Sequence, residues 1–100
     1  MTIKAKKAIR KVTGPISFGE MLNSYRLAND YSQVAMAEIL GISKQDLCNI
    51  EKGRKLVSIE RAKIFAEALG MPSRTFAKYA LQDQLSSAGI EGEVEINDVA

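Results

Sequence analysis

Between Gln33 and Lys52, two short runs of helical periodicity stand on either side of a single glycine, and this arrangement constrains the fold more than any other feature of the chain. Met36, Ala37 and Leu40 share one face of the first run, and Leu47 and Ile50 share one face of the second. Ser32 and Ser43 precede the two runs, where a hydroxyl can accept from the unpaired N–H groups of a first helical turn. Gly41 supplies the positive φ that the chain must adopt just past a helix end, and it leaves a sharp turn unobstructed. Helices this short are marginal alone. Met36, Ala37, Leu40, Ile42, Leu47 and Ile50 must therefore close on one another and on further helices.

Those further helices are legible on both sides. Pro15 punctuates the chain, and Ser17 with Glu20 forms a capping box for a helix to about Asn29, with Phe18, Met21, Leu22 and Tyr25 as its apolar face. Gly53 ends the third helix, near Lys52. Ser58 caps a fourth, striped by Ile59, Ala62, Phe65, Ala66 and Leu69 and ended by Gly70. Ser73, or the preceding Met71-Pro72, opens a fifth with Phe76, Ala80 and Leu81 inward, ending near Gly89. Val94 and Ile96 then alternate with Glu93, Glu95 and Asn97, the period of a short strand. The expected fold is all-α with five helices, and a short C-terminal β-strand is the one addition to it. The expected layout is an arm over 1–15, a helical domain over 16–85 and a tail over 86–100, a size suited to one domain.

Composition narrows the chemistry. The chain has one cysteine, Cys48, and no histidine, so neither an internal disulfide nor a metal cage is expected, and imidazole acid-base catalysis is excluded. No Gly-rich phosphate loop or nucleophile elbow is present. Neither an enzyme nor a cofactor is expected. No apolar run reaches membrane-spanning length and the first residues lack an apolar leader core, so the expected location is the cytoplasm. The net charge of +2 conceals an asymmetry. Lys4, Lys6, Lys7, Arg10 and Lys11 make residues 1–15 basic, while Asp83, Glu91, Glu93, Glu95 and Asp98 make residues 81–100 acidic. Two readings follow: each end serves a partner of opposite charge, or both are solvated termini.

Two helices joined by a short glycine-containing turn form a helix-turn-helix. With Leu47 and Ile50 inward, Lys44, Gln45 and Asn49 lie toward the opposite face of the second helix. The amides can donate to and accept from adenine, and lysine can donate to guanine acceptors, in the major groove of double-stranded DNA. Gln33 and Ser43 open the two helices, where unpaired N–H groups favour a phosphate. Lys52, Arg54 and Lys55 surround the end of the second helix and add phosphate-directed charge that positions without reading sequence. Two acids sit among these groups. Asp46 suits either a cytosine donor or the helix N-terminus, and Glu51 calls for a cation, for which Arg26 is the candidate. Cys48 reads either as an inert thiol or as a redox switch.

Tyr25-Arg26-Leu27-Ala28, Ser32-Gln33, Leu40-Gly41-Ile42-Ser43, Asn49-Ile50-Glu51-Lys52-Gly53 and Ala66-Glu67-Ala68-Leu69-Gly70 together resemble the Xre/Cro/C1 family of helix-turn-helix domains, the fold of lambdoid phage repressors. The resemblance covers about residues 17–80. It implies a five-helix lambda-repressor-like bundle that binds a palindromic operator as a homodimer. It implies that Gln33 contacts phosphate and braces the first reading residue, that Lys44, Gln45 and Asn49 read bases, and that Arg26 and Glu51 form a structural ion pair. Ala35 departs from the family's usual glutamate, and 54–58 lacks the proline common before helix 4.

The expected function is a transcriptional regulator, chiefly a repressor. A second expectation is an antitoxin that autoregulates its operon and neutralises a toxin, the acidic tail docking by β-augmentation.

Overall fold

Serine hydroxyls start four of the five helices formed by the described residues. The computed structural model describes residues 16–92, 94 and 95. Its helices are α1 (Phe18–Ala28), α2 (Gln33–Leu40), α3 (Lys44–Glu51), α4 (Ile59–Leu69) and α5 (Ser73–Ser87). Ser17 accepts from the Glu20 N–H while the Glu20 carboxylate accepts from the Ser17 N–H, so the expected capping box is formed. Ser32, Ser43 and Ser58 accept from the N–H groups of Ala35, Asp46 and Arg61. Pro72 precedes α5 without a side-chain cap. Gly41 closes α2 in the left-handed region at φ 74°, as the turn requires.

The helices close around Phe18, Leu22, Met36, Leu47, Ile50, Phe65 and Phe76, all fully buried. Phe18 meets Phe76 edge-on with ring centroids 5.7 Å apart, which ties α1 to α5. α4 and α5 form the most extensive helix pair, while α3 rests on α1 and α2. Residue 19 decides how closely α1 and α3 approach. A Cβ on Gly19 would collide with the Ile50 carbonyl oxygen and lie 3.0 Å from that of Glu51. The side-chain-free surface of Gly19 is thus what seats the C-terminal half of α3.

Three expectations change. Ile59, assigned to the apolar stripe of α4, is exposed, because it begins the helix ahead of the buried positions Ala62, Phe65 and Ala66. Leu81 is only half-buried, and Gln82 takes the inward position beside it. Burying Gln82 is tolerated because both ends of its amide are paired: Nε2 donates to the Gly92 carbonyl at 2.8 Å and Oε1 accepts from the Val94 N–H at 2.7 Å. Val94 is irregular and buried against the domain, and the rest of the expected strand, at 93, 96 and 97, lies outside the described residues. The amide of Gln82 takes the place of a neighbouring strand's peptide.

Asp83, counted by charge with the acids of 81–100, acts inside the domain. Its carboxylate accepts from the Phe18 N–H at 3.1 and 3.2 Å, adding a long-range cap to α1. Burial pushes its carboxyl above the ordinary value; the Phe18 bond opposes this and the Glu20 charge adds to it. The arm over 1–15, residue 93 and residues 96–100 lie outside the described residues. Among the described residues no helix is long and apolar enough to cross a membrane.

Candidate nucleic-acid interface

The capping of α3 by Ser43 and the burial of Leu47 and Ile50 fix which side of the helix is left outside. Lys44 and Gln45 are exposed and Asn49 is half-buried at the edge of the same surface. Gln45 and Asn49 are one helical repeat apart, and Gln45 Nε2 donates to Asn49 Oδ1 at 3.2 Å. The pair holds two amides side by side with further donors and acceptors left over for other partners. Gln45 and Asn49 thus share one surface of α3, and Lys44 is exposed at the start of the helix.

The residues expected to meet phosphate are placed less uniformly. Ser43 stands at the start of α3 with its hydroxyl engaged as the N-cap. Lys52 and Arg54 are exposed just past the helix end. Lys55 is half-exposed and donates from Nζ to Asp46 Oδ1 at 2.6 Å. Gln33, at the first position of α2, donates from Nε2 to Glu51 Oε1 at 3.0 Å.

Glu51 is the centre of a polar cluster joining three helices. Arg26 Nε donates to Oε2 at 2.8 Å and Arg26 Nη2 to Oε1 at 3.2 Å, the ion pair expected from sequence. Asn23 adds a bond to Oε1 at 3.2 Å, and Arg26 Nη1 turns back to the Tyr31 carbonyl at 3.0 Å. The Glu51 side chain is only 4% exposed. Burial alone would push its carboxyl up, but hydrogen bonds from Arg26, Gln33 and Asn23, with the Arg26 charge, outweigh that and hold it below the ordinary value. The cluster fixes the end of α3 against α1 and the start of α2, which sets the angle at which the outer face of α3 is presented.

Asp46 is held by cations from beyond its own helix. Lys55 takes one carboxylate oxygen, and Arg61 on α4 takes the other at 2.5 Å. The Arg61 guanidinium also lies 5.3 Å from the centre of the Phe65 ring, over its face. The hydrogen bonds from Lys55 and Arg61, helped by their charges, outweigh burial and keep the Asp46 carboxyl below its ordinary value.

Sequence reasoning overlooked Asn23 and Arg61. Asn23 precedes Arg26 by three residues, so a shared helix face was available as a signal. Arg61 is separated from Asp46 by a loop, and no local spacing announces their meeting. Cys48 is a half-buried free thiol. Among the described residues no group of three or more metal-ligating side chains comes together.

Comparison with known proteins agrees with this geometry. A family model described as Helix-turn-helix matches residues 22–76, from the middle of α1 into α5. A curated protein of Thermococcus kodakarensis, provisionally named an HTH-type transcriptional regulatory protein, is 40% identical over 58 residues. That match takes in 54% of this chain and 18% of the relative, so the chain spans less than a fifth of that protein's length.

Proposed function

The chain belongs to the helix-turn-helix family, and from that premise we propose that it is a sequence-specific DNA-binding transcriptional regulator, a repressor that binds a palindromic operator as a homodimer. α3 enters the major groove. Lys44, Gln45 and Asn49 read base edges, and Gln33, Ser43, Lys52, Arg54 and Lys55 position the domain on phosphates. The observation that carries this reading is the outer surface of α3, where two hydrogen-bonded amides stand together on a helix seated on a buried core. Gln82 engages the tail at Gly92 and Val94, which favours the regulator over a tail free along its length to dock on a toxin. The homodimeric regulator is therefore the reading carried forward.

Selection of binding sites from random duplex DNA tests it. The expected result is an inverted repeat with half-site centres about 34 Å apart, one turn of the double helix. Recovery of no enriched sequence, with binding unaffected by sequence, contradicts it.

A further inference from the structure

Asp46 sits among groups that a DNA-binding surface would offer to phosphate, and it occupies two of them. It is the third residue of α3, one position beyond Gln45, on the flank of the outer surface nearer Asn49. Its two oxygens hold Lys55 and Arg61 separately, at 2.6 and 2.5 Å. The pairing converts a local charge of +2 into +1 at the edge of the surface. The two cations are not held alike. The Arg61 side chain is 30% exposed and stacked on the buried Phe65 ring, whereas the Lys55 side chain is 47% exposed and is held through its bond to Asp46. Lys55 is thus the partner that can exchange one oxyanion for another with little else disturbed.

On the reading of α3 as a DNA-reading helix, which this inference deepens, we propose that Asp46 restrains the affinity of this surface for DNA: it competes with DNA phosphate for Lys55, and to a smaller extent for Arg61. A random duplex, which gains little from Lys44, Gln45 and Asn49, must displace a carboxylate before Lys55 can contribute. A matching operator makes the same displacement, and its base contacts add to binding whether or not Asp46 is present. Asp46 therefore weakens the sequence-independent, phosphate-directed part of binding on every duplex. A purely structural clasp between α3 and α4 would change stability and leave the salt dependence of binding untouched.

The experiment measures binding of the full chain to a selected operator duplex and to a random duplex across a salt series, for wild type, Asp46→Asn, Lys55→Gln and the double variant. Asp46→Asn is expected to raise random-duplex affinity by roughly threefold or more and to steepen the slope of log K against log salt by about 0.9, one phosphate contact. The gain is expected to vanish in the double variant. Lys55→Gln made in the wild-type chain is expected to change random binding less than the same substitution made together with Asp46→Asn. Thermal unfolding of each variant separates loss of folding from loss of competition, and Lys55→Ala, which leaves Asp46 in place, gives a second route to the coupling. An unchanged salt slope in a folded Asp46→Asn variant overturns the inference while leaving the DNA-binding reading intact. Failure of the wild type to bind any duplex overturns both.

Discussion

Glu51 and Asp46 lie on the same short helix, and their surroundings differ in every respect that matters to an acid. Glu51 is enclosed at the end of α3, with Arg26, Gln33 and Asn23 filling its oxygens. Asp46 sits at the helix start with a 17% exposed side chain, held by two cations that water can reach. Both carboxyls are held below their ordinary value, so the direction of the shift alone would make the two look alike. Burial separates them. Removing one partner of a buried pair leaves the other charge without water or counter-charge, whereas an exposed pair exchanges its partner for solvent at little cost. The enclosed acid fixes how α3 is seated, and the open one is available to respond to what α3 meets.

The largest expected effect is at the enclosed site. Glu51→Ala leaves the Arg26 guanidinium and two amides without their shared acceptor and is expected to lower stability by about 3–5 kcal/mol, read by chemical denaturation. A loss no larger than that of an exposed pair would erase the contrast. Asp46→Asn is the sharpening counterpart: its expected cost in stability is about 0–1 kcal/mol in the same assay. A larger cost would make the Lys55–Asp46–Arg61 clasp a structural brace.

Acid provides a smaller but signed test. Glu51 and Asp46 ionise more readily in the folded chain than in the unfolded one. Each therefore contributes stability that is present above its unfolded pKa and is lost as pH falls through the folded pKa. Asp83 runs the other way. Its folded pKa is raised, so its contribution is complete below the unfolded pKa and is lost as pH rises through the folded one. Asp83→Asn is expected to compare most favourably with wild type at neutral pH, the difference moving in favour of wild type as the solution is acidified. Parallel stability curves for the two proteins would contradict that assignment.

What is legible in the sequence divides along the same line as these acids. Capping serines, the glycine after α2 and helical periodicity are local signals, and Ser17, Ser32, Ser43, Ser58 and Gly41 all act where the sequence puts them. The Arg26–Glu51 pair is legible because a charge on a packed helix needs a counter-charge, and one base stands on the right face of α1. Contacts between residues far apart in the chain leave no such trace. Nothing local to Gly19 announces the carbonyl oxygen of Ile50 against it. The neighbours of Gln82 likewise give no sign that Gly92 and Val94 return to it. Asp83 counts by charge with the acids of 81–100, and nothing local announces that it caps a helix near the opposite end of the chain. Lys55 reads as a phosphate contact from charge alone, which carries no information about Asp46 already holding it.

Base reading by the outer surface of α3 is the central claim, and Asn49 sits on that surface beside Gln45. The most direct measurement is the affinity of Asn49→Ala for the selected operator and for random duplex at one fixed salt concentration. The expected result is a loss of about 1–3 kcal/mol on the operator and a much smaller loss on random DNA. Equal weakening on both duplexes would contradict the claim, because Asn49 would then contribute to binding without reading sequence.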